Sequence, residues 1–562
     1  MCKMSEKRAG RWSILGPFGL TLLGAALVCA GLAACDDESE AHSSDGPSPG
    51  GGGDGPGTSP WPEDTWPSSL TPDHALQSFG SCVETKEYAV DAAEHAMAIK
   101  MLIAMGEVSD GADAGADADT DTDIDTDTDT DSDMDADSDA DGDADDADPD
   151  FTGTNLQEDG VDEADVIKTD GVFFYALGGD DLVIASVENG ELEVVGRAKV
   201  AGAPIDILLF GDLIVAFSDM AHSEVAEEIR YPAAPHPEAW AEQPPPSYTN
   251  LTLVDVADRA APQVLRTISY AAGYVSSRRV GDALRVVLRS PIPAAHVQVV
   301  PSVADIDQLG EEQAFAELFD DNQVLLNALD LEDILPRKID VVPGEEDEAS
   351  AEQIARCADH FGPATPQGIA ITSVVSLHLD APLTPQRNIS VFGDTGLVYA
   401  SPEALYLATS RDYVLDAVES HVWAVDTSGL HKFDIASNPG LALYQATGEV
   451  NGRMLDQFCM GEKDGYLRVA TQTGSGLGGE SHLWVLEQVS GDLEVAGEIH
   501  GIGAGEDLYA ARFLGDRGFM VTFMEYDPLF TFDLSDPYAP QMVGMWEGPG
   551  WSTYLHPLGP DH

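Results

Sequence analysis

The sequence predicts an all-β fold, a β-propeller of four-stranded blades. Three observations carry this expectation. From residue 154 onward, short apolar runs of four to eight residues alternate with Gly/Asp turns, the pattern of strands rather than helices. The runs fall into groups of four at roughly 40-residue spacing where nothing interrupts them. The segments "LTLVDVADRAAPQV" at 251 and "LFTFDLSDPYAPQM" at 529 also repeat one another, with Asp255, Asp258, Pro262 and Gln263 matching Asp533, Asp536, Pro540 and Gln541 at a constant offset of 278. A pair of β-sandwiches would not repeat this often.

Placing that pair as the second and third strands of a unit phases the remainder. Unit one runs from "VFFYAL" through "DLVIASV" and "ELEVVGR" to "IDILLF", and unit two from "DLIVAF" to "YVSSRRV". Unit three runs from "ALRVVLR" to "LVYASP", and unit four opens at "ALYLATS". Unit five runs from "YLRVATQ" to "LYAARF", and unit six from "RGFMVTF" to "STYLH". Two insertions, 218–248 and 290–370, then fall between the first and second strands of their units, on one face of the disc. The first is Pro-rich; the second contains a helical stretch, "EEQAFAELFDDNQVLLNALDLEDIL". Such elaborated loops are where a partner is expected. Applied to the last residues, the offset brings the sequence up to "ALRVVLR", so the repeat expects a further strand beyond His562 and a chain that continues.

The N-terminus reads as an export signal, residues 1–34. A basic start (Lys3, Lys7, Arg8, Arg11) precedes an apolar core, and "LAAC" ends in Cys35. That order is the pattern of a bacterial lipobox, with Cys35 the lipid-bearing residue and the cell-envelope membrane the surface it is held on. Residues 35–73 are a Gly/Pro/Ser linker, 74–107 have helical spacing, 108–153 form an Asp-rich tract, and 154–562 make the propeller. Beyond Cys35, the exported chain retains Cys82, Cys357 and Cys459, which allows one internal disulfide at most and leaves open a pairing of Cys357 with Cys459. Cys357 and His360 form a lone C-x-x-H, without the second half that a zinc site requires.

Lys and Arg number 27 against 100 Asp and Glu, a formal charge of -73. Such a surface repels nucleic acid and attracts cations. From Asp110 to Asp150 there are 20 Asp and no Lys or Arg. One register, Asp137, Asp139, Asp141, Gly142, Asp145 and Asp148, places oxygen ligands at 1, 3, 5, 9 and 12 and a glycine at 6, spacing suited to calcium. It resembles the calcium loops of thrombospondin type 3 repeats, though almost any register of an Asp tract matches in part. The competing reading is a solvated acidic spacer.

Enzyme signatures are few, and the reading leans away from catalysis. "GSGLGG" (474–479) precedes a strand rather than a helix, so it reads as a hairpin loop and not a dinucleotide site. H-E-x-x-H, G-x-S-x-G and P-loop motifs do not occur. "EDGVDEAD" (158–165) reads as a charged lip paired with Lys168. Asp162, Asp165, Lys168, Arg512, Asp527 and His556 are the polar residues that would line a propeller mouth, the equal alternative being ordinary turn contacts.

The stretch "TNLQEDGVDEADVIKTDGVFFYAL" (154–177) resembles the opening of a family of secreted bacterial and archaeal proteins with a C-terminal β-propeller distantly related to WD-type repeats. The segment from Gly505 to His562 is similar to it as well. The resemblance covers about 154–562 and implies the propeller fold. It carries no catalytic residues, and in that family the sequence runs on past the stretch matching "YLHPLG". Together these features point to a lipid-anchored extracytoplasmic binding or scaffold propeller with a protein or glycan partner. The alternatives are a propeller hydrolase or lyase of the envelope, or a structural envelope component.

Overall fold

The computed structural model describes residues 75–556 except 107, 111–155, 189–190, 231–246, 293–296, 346–348, 365, 367–369, 417–420, 524–526 and 549–551. Cys35 and the five aspartates of the calcium register lie outside the described residues.

Among the described residues, six four-stranded antiparallel blades follow one another along the chain. Blade I comprises Ile167–Thr169, Phe173–Gly178, Asp181–Glu188 and Glu191–Lys199. Blade II comprises Ala203–Phe210, Leu213–Asp219, Thr249–Asp255 and Gln263–Tyr270. In blade III the strands are Gly273–Val280, Ala283–Pro291, Ala370–His378 and Arg387–Phe392. Blade IV holds Thr395–Ala400, Ala404–Asp416, His421–Asp434 and Leu443–Asn451. Blade V holds Met460–Lys463, Tyr466–Thr473, Glu480–Val489 and Asp492–Ile502. Blade VI holds Asp507–Leu514, Arg517–Phe523, Asp527–Asp533 and Gln541–Gly548. Alternating apolar residues from facing blades make the cores, for example Leu405, Leu407 and Phe433 of blade IV with Val287, Val374 and Ile389 of blade III.

The sequence phasing is one strand out of step. "IDILLF" pairs with Leu213–Asp219 ahead of it, not with the strand behind it, so it opens blade II rather than closing a first unit. The same shift applies to "YVSSRRV", "LVYASP" and "LYAARF". The strand that opens blade I is the three-residue Ile167–Thr169, too short to show in the pattern. "STYLH" is not a strand. The repeat itself holds to the level of backbone irregularity. The bulge between Leu253 and Val254 recurs 278 residues later between Thr531 and Phe532. Both insertions follow the second strand of their blades, II and III, so they share one position in the repeat.

Helix α1 (Cys82–Ala104) lies within the stretch of helical spacing. Ser81 caps it by accepting the Glu84 N–H. The helix does not stand apart from the ring. Met97 and Met101 pack with Phe315, Phe319 and Leu326 of the blade III insertion, whose helices are α2 (Val303–Leu309), α3 (Glu311–Ala328) and α4 (Leu331–Ile334). Leu76–Ser78 adds a strand alongside His360–Pro363 at the outer edge of blade III. A disulfide joins Cys82 to Cys357. This corrects the pairing left open from sequence: Cys459 is a buried free thiol, and Cys357, being bonded, is no zinc ligand. After α1, Val108–Asp110 runs parallel to blade IV's third strand. The described chain before the Asp tract thus ends on blade IV at Asp110, and it resumes after the tract at Leu156.

Candidate functional site

The middle of the ring is occupied by the chain's own residues 156–165. This segment meets the first strands of blades II and III and the equivalent regions of blades IV, V and VI. Val161–Glu163 pairs with Arg278–Val280 of blade III, and Asp165 bridges Ile207 of blade II. Glu158 accepts a hydrogen bond from the Tyr399 hydroxyl of blade IV (2.7 Å). The Gln157 amide donates to the carbonyls of Gln457 and Met460 at the entry to blade V (2.9 and 3.0 Å). Arg512 of blade VI reaches the carbonyls of Leu156 and Gln157 (3.4 and 3.5 Å).

Charge explains why so acidic a segment settles inside. First strands and their neighbours present Arg278, Arg279, Arg468 and Arg512, a concentration of cations in a chain that has few. Asp162 pairs with Lys168 (3.0 Å) and Arg279 (2.9 Å), and Glu163 with Arg278 (3.5 Å). Arg278 also donates to the Val398 carbonyl (3.1 Å) and to Gln457 (2.6 Å), and is only 4% exposed. Burial pushes the Arg278, Arg468 and Arg512 guanidiniums below their ordinary range, and it lifts the Glu158 carboxyl. Removing one partner of such a buried pair strands the other charge and costs about 3–5 kcal/mol.

A second polar knot lies beside the first. The carboxylate of Glu462 accepts from Tyr406 and Lys432 (both 2.9 Å) and from Ser401. Its N–H donates to the Tyr399 oxygen (2.6 Å), and Tyr399 in turn donates to Glu158. The two knots thus form one hydrogen-bonded chain from the central segment into blades IV and V. At the blade VI side, Arg512 lies over the Phe458 ring (4.6 Å), Phe458 meets Tyr554 edge-on (5.7 Å), and Tyr554 lies beside His556 (6.1 Å).

Of the residues expected at a mouth, Asp162, Asp165 and Lys168 therefore sit in the centre, and Arg512 with His556 flanks it through Phe458 and Tyr554. Asp527 opens the third strand of blade VI, opposite Gly548. Within "EDGVDEAD", Glu158 is held by the Tyr399 hydroxyl and Asp162 and Glu163 by cations, while the Asp165 carboxylate accepts the Val166 N–H. Sequence reasoning missed Arg278, Arg279, Arg468, Tyr399 and Glu462. A signal was present: "YVSSRRV", "YLRVATQ" and "LYAARF" carry arginine inside otherwise apolar strands, which calls for buried partners.

Among curated proteins, the chain is 37% identical over 145 residues to an uncharacterized protein of Methanocaldococcus jannaschii, covering 25% of this chain and 22% of that one. It is 40% identical over 138 residues to an uncharacterized protein of Archaeoglobus fulgidus, covering 25% and 20%. The chain spans about a fifth of the length of these relatives. Among solved structures, the N-terminal domain of Nup159 aligns at a TM-score of 0.27 with 7% identity, over 69% of this chain and 80% of that one. The family model described as Beta propeller domain matches residues 151–562, the same stretch that builds the six blades and their central segment. The chain belongs to that β-propeller domain family.

Proposed function

We propose that this protein is an exported, lipid-anchored binding or scaffold propeller of the bacterial cell envelope, engaging a protein or glycan at its built-up periphery. The observation that carries this reading is the filling of the centre by residues 156–165, with the carboxylates Asp162 and Glu163 paired to arginines. The helical layer on blade III, by contrast, is extra structure that the ring does not require. Its helix α3 turns Glu317, Asp320 and Asp321 outward, an acidic face suited to a basic partner. Cys35 is the lipid site in this reading, and the aspartates 137, 139, 141, 145 and 148 take calcium weakly.

Replacing Glu317, Asp320 and Asp321 together with lysine tests the periphery. Binding to envelope protein and glycan fractions is expected to fall in that variant and to persist in Asp162→Asn. The reverse pattern would move the site to the centre. Cys35→Ala is expected to shift the protein from the membrane fraction to the soluble one. Calorimetric calcium titration of Asp139→Asn/Asp141→Asn, with a weaker signal than the parent, checks the tract.

A further inference from the structure

We infer that Asp282, His378 and Asp380 form a binding site for a first-row divalent transition ion such as zinc, on the rim of blade III. Each offers one ligand atom, and the three atoms lie within 4.8 Å of one another, the one such cluster among the described residues. Asp282 sits in the turn joining the first two strands of the blade; His378 ends the third, and Asp380 lies in the turn that follows it.

The repeat shows that this trio is a local departure. In four blades, the N–H just after the third strand donates to the carbonyl of the acidic residue in the first turn. The pairs are Val256 to Asp212 (2.8 Å), Leu379 to Asp282 (2.8 Å), Ile435 to Glu403 (3.0 Å) and Leu534 to Asp516 (2.8 Å). Aligned on this lock, the preceding residue is Asp255, Asp434 or Asp533 in blades II, IV and VI. Each of those carboxylates accepts the N–H two positions on, from Ala257, Ala436 or Ser535, and so caps its own turn. Blade III places His378 there, and it places Asp380 where the sister blades carry Ala or Ser. Two changes at one corner of one blade turn a self-capped turn into a nitrogen and two carboxylates.

The surroundings keep this set in place. The first-turn carboxylates of blades II and VI pair with Arg259 and Lys463, whereas the ion-pair partner of Asp282 is His378, Nδ1 to Oδ2 3.8 Å. On the other side of the imidazole, a Cβ on Gly440 of the blade IV loop would stand 2.7 Å from His378 Nε2. The glycine makes room for the imidazole and leaves Nδ1 as the nitrogen facing Asp282. Arg285, buried nearby, feels Asp282 but donates to the carbonyls of Ile435 and Asn438 (3.1 and 3.4 Å). One imidazole with two carboxylates suits zinc or a neighbouring divalent ion better than calcium, which prefers oxygen alone. Three protein ligands leave a coordination position for water or for a donor from outside.

The test is zinc competition against a chromophoric chelator, with metal-free full-length protein in excess calcium to occupy carboxylate-only sites. The parent chain is expected to hold one zinc more than about tenfold tighter than His378→Ala. Asp380→Asn, an exposed position, is expected to weaken binding as well while leaving the melting temperature unchanged. Equal zinc affinity in the parent and both variants, or no zinc held in excess calcium, overturns the assignment. If His378→Ala melts early, the Asp380→Asn comparison decides alone, and equality with the parent overturns it.

Discussion

In blade V, Gly497 lies opposite Val485, just before the bulge in the pairing of the third and fourth strands. In blade VI, Gly544 lies opposite Thr531, just before the same bulge. A Cβ on Gly497 would meet the Pro537 carbonyl oxygen at 2.4 Å and Pro540 Cδ at 2.6 Å, because the Pro-containing turn of blade VI presses into that spot. Gly196 of blade I receives Arg259 and Pro262 of blade II in the same way. On Gly544 a Cβ would meet only its own blade's Thr531, at 3.9 Å. Gly544 is exposed, and Val543, Met545 and Trp546 around it are exposed too, Trp546 by 63%. Blade II takes a third course: the offset that matches Asp255 to Asp533 puts Arg266 at this position, and Arg266 reaches across to Asp340 and to the Pro382 and Thr384 carbonyls. The glycine is thus a requirement set by the adjoining turn, not by the strand that carries it.

This contrast can be broken or sharpened by measurement. The largest loss is expected on the buried side of blade VI: Phe532→Ala removes a fully buried ring and should cost about 3–5 kcal/mol in chemical denaturation. Gly497→Ala comes next, at about 2–3 kcal/mol, since the clash is with backbone and a proline ring. A value near zero would mean that the turn is free to withdraw. An intermediate effect separates the blades by pH. His482 of blade V stands where blade VI has Pro528. Burial, with His500 beside it, holds His482 down at about 4. The unfolded chain binds that proton near the ordinary value of 6.5, so stability should fall as pH drops from about 6.5 to about 4. His482→Gln should flatten the melting profile in that window. Some slope should remain from His360, also held at about 4, while Asp91, raised to about 6, works against it. Gly544→Ala should be stabilising by about 0.5 kcal/mol, as alanine in a strand usually is relative to glycine. Trp546→Ser should lie within about 0.5 kcal/mol of the parent.

The strands were legible because each is an apolar run closed by a Gly or Asp turn, and the repeat was legible because two turns kept the same Asp and Pro. The phase was not. Ile167–Thr169 is too short to register, and the loop from blade I into blade II is as brief as a hairpin, so chain order alone does not say where one sheet stops. The central segment was hidden for a different reason. "EDGVDEAD" has the composition of a solvated turn, and its counter-charges arrive from Arg278 and Arg279, more than a hundred positions away. The Cys82–Cys357 bond, 275 positions apart, rests on the docking of α1 against the blade III insertion, a contact that local periodicity does not encode.

That disulfide also sets the path of mechanical load. A pull on the N-terminal segment reaches Cys82 and crosses to Cys357 before it meets the Asp tract. The tract lies inside the covalent circuit closed by the bond, so it carries no tension while the bond is intact. A single proteolytic cut within it leaves both halves joined. Reduction of the bond leaves the backbone from Cys82 to Cys357, the aspartates included, as the covalent path between them.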